Sequence, residues 1–402
     1  MDDYHTKCEL PEPVLDVAHA GPHRVRILTD ERLFSVSGLR IAFTAREGGV
    51  SKGAFSSLNL ATHVNDTACD VQENRRRIAQ VMGCTPAQLC ACNQIHSART
   101  LCITTREMEL SAQFVQVDEA FRAVFLHNMN IRTESREGMR DGAGKGDAAR
   151  EASSEASSDA PFLPCNITRA FDVFTSADNA QSMAARGFDA IVVDCANTCP
   201  LLCFADCLPL IIVSPTGRFA VVHAGWRGAY CQIASRAACA LACLDALDCV
   251  QPSANPQLTQ ASRASQLTQP SQASRASQAL AASRTAPFNT HAFSQVMKQF
   301  LASYNMYIGP HISHDAFEVG ADVFSHFIAK FGSACSHTTR HVSLSRVVQQ
   351  DLCGVGCSAQ RIANAHQCTV AQHDVYFSYR HANGVCGRIG ALAYQTRGVF
   401  NM

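Results

Sequence analysis

The chain has 402 residues, of which 47% are hydrophobic, and its 34 basic and 34 acidic residues give a formal net charge of zero. This balance argues against nucleic-acid binding, because phosphate contacts require an excess or a stripe of basic residues. No apolar run approaches the ~18 residues of a membrane span, and the N-terminal stretch MDDYHTKCELPEP has no apolar signal segment, so we expect a cytoplasmic protein without membrane contacts.

Hydrophobic periodicity predicts the regular elements in chain order. A strand is expected at Leu39–Thr44 and a helix at 70–82, with Asp70 as its N-cap. Short buried strands are expected at 201–204 and 210–213, and the turn SPTGRF leads into a further strand at 219–222. Later come predicted helices at 232–247, 291–304 and 316–331, a strand at 306–309, and a hairpin that turns at Asn383-Gly384. This mixture predicts an α/β fold with a substantial antiparallel component.

Composition divides the chain into one expected domain and three biased or accessory parts. The domain is predicted to cover 39–400, after an N-terminal extension at 1–38. The segments 134–160 and 251–287 are rich in small and polar residues, and QLTQ and SRASQ each occur twice in the second. Because neither segment can bury enough apolar surface to offset the cost of ordering, we predict disordered insertions there.

Three side chains with metal-binding chemistry are predicted at the ends of apolar runs. His223 follows two valines in VVHAGWRG, where Gly225 and Gly228 are expected to allow tight turns. Cys207, in ADCLPLIIV, lies sixteen positions earlier, which is enough for a strand, a turn and a strand back. His96, in CNQIHSART, follows another mostly apolar stretch. Two imidazoles and a thiolate match a zinc site with an open fourth position, although 16 histidines and 20 cysteines make a chance triplet easy to find.

The other cysteines have a simpler interpretation. In a chain without a signal segment most of them are expected to be reduced thiols that pack as small apolar residues. Cys195, Cys199, Cys203 and Cys207 recur every four residues. On a strand they would share one face only if the strand ran unbroken through Pro200, so a four-cysteine cluster is the lesser alternative.

A set of motifs identifies a family resemblance. In chain order they are FTAREGGVSKGAFSSLNLATHVND, VQENRRRIA, NQIH, FDAIVV, ADCLPLIIV, VVHAGWRG, YIGPHISHDAFEVG and FSYRHANGVCGRIGALAY. They resemble the YfiH-like family, formerly labelled multicopper polyphenol oxidase or laccase and now described as zinc-dependent purine nucleoside phosphorylase. The resemblance covers the chain from about Leu39 to Tyr394, apart from the two insertions. It implies a single α/β/α sandwich domain with a mixed sheet, shared with a toxin deamidase.

The resemblance also implies a reaction and its site. His96, Cys207 and His223 would bind zinc and form the catalytic centre. Adenosine, inosine or methylthioadenosine would be cleaved by phosphate to the free base and ribose 1-phosphate, with adenosine deamination as a further activity. The implied partners are therefore a purine nucleoside and phosphate, while the preferred nucleoside and the oligomeric state stay open.

Phosphate binding is expected to fall to arginines, which hold phosphate through paired charge-assisted hydrogen bonds. Arg227 precedes a predicted helix, whose N-terminal amides would add to the attraction. Arg46 and Ser51, in the loop AREGGVSKG, and Arg380 are further candidates, although each arginine has an ordinary ion pair as its alternative.

Asp206 and Trp226 each have two possible roles. Asp206, next to Cys207, is either a general acid/base or a hydrogen-bonded loop residue, and strand alternation favours the loop role. Trp226 either stacks on the base or closes the core beneath the loop, and the core position is preferred.

The chain departs from the family pattern at two places. Ser97 stands where the family usually has glycine, and His381-Ala382 stands where it usually has Arg-Asp. Two rival functions follow. The chain is a cysteine hydrolase or deamidase with Cys207 as nucleophile and His223 as base, or a metal-binding protein without turnover. Copper oxidation fits poorly, because no His-x-His pair occurs.

Overall fold

The computed structural model describes residues 9–104, 172–175, 187–250, 290–336 and 338–396. The insertions predicted at 134–160 and 251–287 lie outside these ranges. In the described part of the chain, no helix is both long enough and apolar enough to cross a membrane.

Strands and helices alternate irregularly along the chain. The strands are β1 Asp16–Ala20, β2 Val25–Thr29, β3 Leu39–Thr44, β4 Leu89–Cys90, β5 Thr100–Thr104, β6 Asp172–Thr175, β7 Ala190–Asp194, β8 Cys199–Phe204, β9 Leu208–Val213, β10 Phe219–Ala224, β11 Asn305–Ile308, β12 Ile362–Asn364 and β13 Ile389–Gln395. The α-helices are α1 Glu31–Ser37, α2 Ala68–Met82, α3 Trp226–Tyr230, α4 Ile233–Val250, α5 Thr290–Ser303, α6 Ala321–Phe331 and α7 Leu344–Gly354.

The strands form two mixed sheets. The first has the order β1-β2-β3-β13-β8-β4 and the second the order β12-β11-β9-β10-β7-β5-β6. Parallel pairs occur at β4–β8 in the first sheet and at β11–β12, β5–β6 and β5–β7 in the second, and the remaining pairs are antiparallel. The predicted α/β class with mixed strand pairing is confirmed.

The two sheets pack face to face between layers of helices. Ile41 and Leu202 of the first sheet share one core cluster with Ile211 and Val221 of the second. Helix α2 covers the outer face of the first sheet, and α4, α5 and α7 cover the outer face of the second. The sandwich therefore has two sheets between its helix layers, where the resemblance implied one. Strands of the second sheet are buried on both faces, which explains their continuous apolar runs.

The strands that position the site agree closely with expectation. β3 spans the predicted residues, and β9 and β10 form the predicted antiparallel hairpin, in which His223 lies opposite Pro209. The predicted helix at 316–331 begins at Ala321, because His314–Ala316 forms a separate 3-10 turn.

Two local predictions require correction. Asn383 and Gly384 have positive φ values of 48° and 98° and do form a turn, but 375–380 is not a strand. β13 pairs with β3 and β8 instead, because a central position in the first sheet satisfies the backbone hydrogen-bonding groups along both of its edges. Helix α2 has Thr67 as N-cap, and Asp70 lies within its first turn.

The segment before β3 is part of the fold rather than a separate extension. β1 and β2 pair with each other, and β2 pairs with β3, so residues 16–29 complete one edge of the first sheet. Asp30 caps α1 by accepting a hydrogen bond from the backbone nitrogen of Leu33. Burial of Val25 and Ile27 holds this edge on the core.

Candidate metal centre

His96, Cys207 and His223 lie together, as predicted. Their ligand atoms all lie within 4.8 Å of one another, and they form the one such His/Cys/Asp/Glu group found among the described residues. Cys207 lies in the bend where the chain leaves β8 in the first sheet and enters β9 in the second, while His223 lies near the end of β10. His96 lies in the loop between β4 and β5. The site therefore forms at the edge where the chain crosses from the first sheet to the second.

Backbone conformation at this edge is unusual. His96 has a φ of 57°, and Asp206, directly before Cys207, has a φ of 88°. Such conformations cost about 1–3 kcal/mol for a non-glycine residue and persist only where surrounding contacts hold them. Asp206 is held by hydrogen bonds from Thr369 Oγ1 and from the backbone nitrogen of Arg380, each 2.6 Å.

The contacts of Asp206 agree with the loop role that the sequence favours. Its Oδ1 accepts from Thr369 and its Oδ2 accepts from Arg380, so both oxygens already have donors. A carboxylate held by donors on both oxygens fixes the conformation of a loop. Asp206 thus ties the Cys207 bend to the segment around Arg380.

Asp189 forms hydrogen bonds with both histidines of the site. It is fully buried, and its Oδ1 accepts from His223 Nδ1 at 2.8 Å and from the backbone nitrogen of His96 at 3.0 Å. Its Oδ2 accepts from the backbone nitrogen and from the hydroxyl of Ser97, at 2.6 and 2.7 Å. The hydrogen bond to Nδ1 directs Nε2 of His223 toward the site.

Gly225 is required for close approach. Its φ is −66°, which any residue adopts, so the conformational freedom predicted from the sequence is not the reason for glycine here. A Cβ atom at this position would lie 3.0 Å from His96 Cδ2, 3.2 Å from Cys207 Sγ and 3.8 Å from His223 Cε1. At Gly228 a Cβ atom would lie 2.9 Å from the carbonyl oxygen of Ser97. Both glycines therefore let α3 lie directly against the site.

The interactions within the site shift the pKa values of Cys207 and His223 in opposite directions. Burial alone would raise the pKa of Cys207, but the charge of His223 and hydrogen bonds from His223 and His96 lower it to about 6. Burial alone would lower the pKa of His223, but the Cys207 thiolate and Asp189 raise it to about 9. The fold thus favours the thiolate, which is the form of cysteine that binds metals.

One side of the site faces solvent. His96 is exposed, whereas His223 is 3% exposed and its ring contacts the buried Phe204 ring at a centroid distance of 5.2 Å. The rings of His96 and His223 meet edge to face, with centroids 4.9 Å apart. The His96 side of the group therefore faces solvent.

Three of the predicted phosphate-binding residues have structural contacts. Arg46 donates from Nε to the carbonyl oxygen of Ser56 and from Nη1 to that of His373. Ser51 is buried and donates to Asp66 Oδ2 at 2.6 Å. Arg380 donates to the carbonyl oxygens of Ala316 and Glu318. These contacts join loops and engage the Ser51 hydroxyl and part of each guanidinium, and phosphate binding by the three residues stays a prediction.

Arg227 and Trp226 lie immediately after Gly225, on α3. Trp226 packs against the helix-side core, as preferred from the sequence. The guanidinium carbon of Arg227 lies 4.4 Å from the Trp226 ring centroid. This stacking holds the guanidinium of Arg227 close to α3, the helix that contacts the site.

Several features of the site were not recognised from the sequence. Asp189 stands in FDAIVV, where an acidic residue directly before an apolar strand is the signal that marks it. Gln94 holds the His96 loop by pairing with both backbone groups of Cys203, at 2.8 and 2.9 Å. Burial and the charges of Arg388, Arg75 and His96 lower the pKa of His63.

The remaining motif residues take packing roles. Cys195 and Cys199 are buried, and of the four regularly spaced cysteines only Cys207 belongs to the group in the described chain that could hold a metal ion. The departure at Ser97 adds a hydroxyl donor to Asp189. At the other departure, the ring of His381 stacks on that of His373, with centroids 3.6 Å apart and an interplanar angle of 7°.

Comparison with known protein families decides the relationship. A family model described as "Multi-copper polyphenol oxidoreductase laccase" matches residues 40–125, 163–266 and 281–396, which is most of the chain. The chain belongs to the YfiH-like family. Its fold is also that of a YfiH structure from Bacillus licheniformis, with a TM-score of 0.55 and 17% identity over 92% of this chain and 96% of that one.

Curated YfiH-like relatives carry a second name. "Purine nucleoside phosphorylase YlmD" from Geobacillus stearothermophilus is 26% identical over 48% of this chain and 46% of its own length. "Purine nucleoside phosphorylase" from Xylella fastidiosa is 26% identical over 51% of this chain and 60% of its own. The chain thus spans about half the length of the curated YfiH-like relatives it matches.

Proposed function

We propose that the chain is a zinc-dependent purine nucleoside phosphorylase, which cleaves adenosine, inosine or methylthioadenosine with phosphate to the free base and ribose 1-phosphate. Adenosine deamination is proposed as a second activity of the same site. The observation that carries the proposal is the convergence of His96, Cys207 and His223 at a solvent-facing edge. The names of the curated relatives support the reaction.

The donor set fits zinc. One thiolate and two imidazoles are ligands that Zn²⁺ takes in tetrahedral catalytic sites, where three protein ligands leave a fourth position open. The lowered pKa of Cys207 favours its thiolate, and the Asp189 contact keeps the hydrogen of His223 on Nδ1, so that Nε2 would give up its own proton on binding the metal. When bound, zinc supplies a positive charge that can polarise an atom of the substrate at this position.

The chain's own residues have separate tasks in phosphorolysis. The C1′–N9 bond breaks, its electron pair stays on the purine, and a phosphate oxygen bonds to C1′. Positive charge develops on the ribose as in glycoside cleavage, so an anion held nearby is favoured. We assign phosphate binding to Arg227, because α3 contacts the ligand residues through Gly225. Arg46 is a second proposed contact through the part of its guanidinium that faces away from Ser56 and His373.

A cysteine hydrolase is the second candidate. Cys207, His223 and Asp189 have the order of nucleophile, base and orienting carboxylate that acyl transfer uses. His96 distinguishes the two, since a cysteine hydrolase has no need of a second imidazole against the thiol. Stoichiometric zinc on Cys207 would quench its nucleophilicity and favour the phosphorylase.

The deciding experiment incubates the zinc-loaded protein with adenosine in the presence and absence of phosphate. We expect adenine and ribose 1-phosphate with phosphate and little product without it. Cys207→Ala should abolish product, whereas Cys353→Ala, at an exposed cysteine on α7, should retain it. Inosine in place of adenine would make deamination the main activity.

Two outcomes would contradict the proposal. A purified protein that lacks stoichiometric zinc and whose Cys207 is rapidly alkylated by iodoacetamide would favour the hydrolase. A protein that binds zinc yet converts none of the three nucleosides would favour a metal-binding role without turnover.

A further inference from the structure

Asp189 connects the two histidines of the metal centre through a single buried carboxylate. Its Oδ1 contacts the ring of His223 and the backbone nitrogen of His96, and its Oδ2 contacts Ser97 twice. Its side chain is fully buried. Burying a carboxylate is costly unless every lone pair finds a donor. Four donors on two oxygens therefore give this charge a fixed position and fixed partners.

The contact with His223 determines which ring nitrogen is available to a metal. A carboxylate accepts and never donates when ionised, so Nδ1 must carry hydrogen in the 2.8 Å contact with Asp189. Nε2 is then the nitrogen that faces Cys207 and His96. The backbone nitrogen of His223 also donates to the carbonyl oxygen of Asp189, at 2.6 Å, which fixes the strand that carries the ring.

The contact with the His96 loop determines the backbone there. His96 adopts a φ of 57°, which a non-glycine residue occupies only under restraint. The restraint is the pair of backbone nitrogens of His96 and Ser97, which point at the two oxygens of Asp189. The same carboxylate thus aims one ligand through its ring and the other through its backbone.

We propose that Asp189 is the positioning residue of the metal centre, which sets the geometry of His96 and His223 together without touching the ion. This inference rests on the proposed zinc site. Ser97, which replaces the glycine usual in the family, contributes a fourth donor from its hydroxyl. The Ser97 hydroxyl donates to Oδ2 and accepts from the backbone nitrogen of Arg99 at 3.1 Å, so its removal leaves both histidine contacts on Oδ1 in place.

The test compares three variants with the wild type. Asp189→Asn replaces one acceptor oxygen by an amide donor, which must face either the His223 and His96 donors or the Ser97 donors. Ser97→Ala removes only the hydroxyl. Asp351→Asn is the matched control, because Asp351 is also buried and accepts two hydrogen bonds from Ser235, but on α7 rather than at the site.

Zinc affinity is measured by competition with a chromophoric chelator. We expect the dissociation constant for zinc to be about 10- to 100-fold higher in Asp189→Asn than in wild type. This is the range typical when a residue that orients a metal ligand is replaced. Ser97→Ala should change it by less than about threefold, and Asp351→Asn should leave it unchanged. In the cobalt-substituted protein, Asp189→Asn should alter the visible ligand-field bands, which report coordination geometry, while both other variants keep them.

A spectroscopic measurement keeps the inference testable if Asp189→Asn does not fold. Nitrogen-15 NMR of zinc-loaded wild type should show His223 protonated at Nδ1 and coordinated through Nε2. Coordination through Nδ1 would overturn the inference, as would an Asp189→Asn protein with wild-type zinc affinity and cobalt spectrum.

The outcomes separate this inference from the proposed function. A wild type that binds no zinc overturns both. A wild type that binds zinc through Nε2 of His223 but cleaves no nucleoside overturns the proposed function alone. Wild-type zinc affinity in Asp189→Asn together with phosphorolysis overturns the positioning role alone.

Discussion

Gly225 packs so closely against His96 that a Cβ atom at Gly225 would lie 3.0 Å from the Cδ2 atom of the imidazole. The same Cβ atom would lie 3.2 Å from Sγ of Cys207. Contacts this short require the neighbour to move, and both neighbours are proposed metal ligands. The absence of a side chain at Gly225 therefore maintains the spacing of His96 and Cys207.

Gly225→Ala is expected to weaken zinc binding on the order of tenfold, because the added methyl group displaces His96 and Cys207 from their common centre. Chelator competition measures the effect. Gly320→Ala is the control, since its methyl group would meet only the carboxylate end of Asp322, a flexible side chain. Equal zinc affinity in Gly225→Ala and wild type would show that the site tolerates the shift.

Removal of the metal should lower the thermal stability of the protein. A ligand that binds only the folded state stabilises it by about 4 kcal/mol when its free concentration is 1,000 times the dissociation constant. We expect the Tm to fall on chelator treatment and to recover when zinc is restored. Cys207→Ala, which lacks the thiolate, should show no such shift. An identical wild-type Tm with and without chelator would argue against a metal at these residues.

Arg227→Gln should raise the KM for phosphate about tenfold or more while the KM for the nucleoside changes little. A hydrogen bond to a charged group contributes about 1.5–3 kcal/mol, and one factor of ten corresponds to about 1.4 kcal/mol. Arg227→Lys, which keeps the charge, should have a smaller effect. If both variants leave the KM for phosphate at the wild-type value, the stacking of Arg227 on Trp226 is purely structural.

The stability of the protein should depend on pH through Asp351. Burial raises the pKa of this carboxyl to about 6, above its ordinary value near 4. A raised pKa in the folded state means that protonation favours folding. The contribution of Asp351 to the free energy of unfolding is therefore complete below about pH 4 and is lost as the pH rises through about 6.

Asp351→Asn mimics the protonated side chain and should remove this dependence. The free energy of unfolding of Asp351→Asn minus that of wild type should increase by about 3 kcal/mol between about pH 4 and 7. A change of one pKa unit corresponds to about 1.4 kcal/mol. Urea unfolding at a series of pH values measures the difference. Parallel pH profiles for the two proteins would contradict the expectation.

Arg218→Met should lower the free energy of unfolding by about 3–5 kcal/mol, as expected when one partner of a buried ion pair is removed. Arg218 is 5% exposed and its Nη1 lies 2.9 Å from Oδ1 of the fully buried Asp245. Arg40→Met, which removes a contact with the exposed Glu31, should cost less than about 1 kcal/mol. Urea unfolding compares the two, and equal effects would contradict this argument.

The strands around the site were predictable because their signals are local. β3 was predicted at its observed bounds, and the apolar runs that become β9 and β10 are joined by a turn that the residues of SPTGRF specify. The predicted hairpin at Asn383-Gly384 was wrong although the turn itself exists. The partner of β13 is chosen by burial between β3 and β8, and such a long-range choice leaves no trace in the neighbouring sequence.

The sequence by itself determined the metal-binding residue types, their positions at the ends of apolar runs and the family. Only the tertiary structure decided that one carboxylate, Asp189, supports both histidines, that Gly225 is needed for space rather than flexibility, and that Arg380 and Ser51 join loops. The physical reason is that residue type and periodicity encode local preference, whereas hydrogen-bond partners and clearances arise only when distant segments, such as 93–97 and 221–228, are packed together.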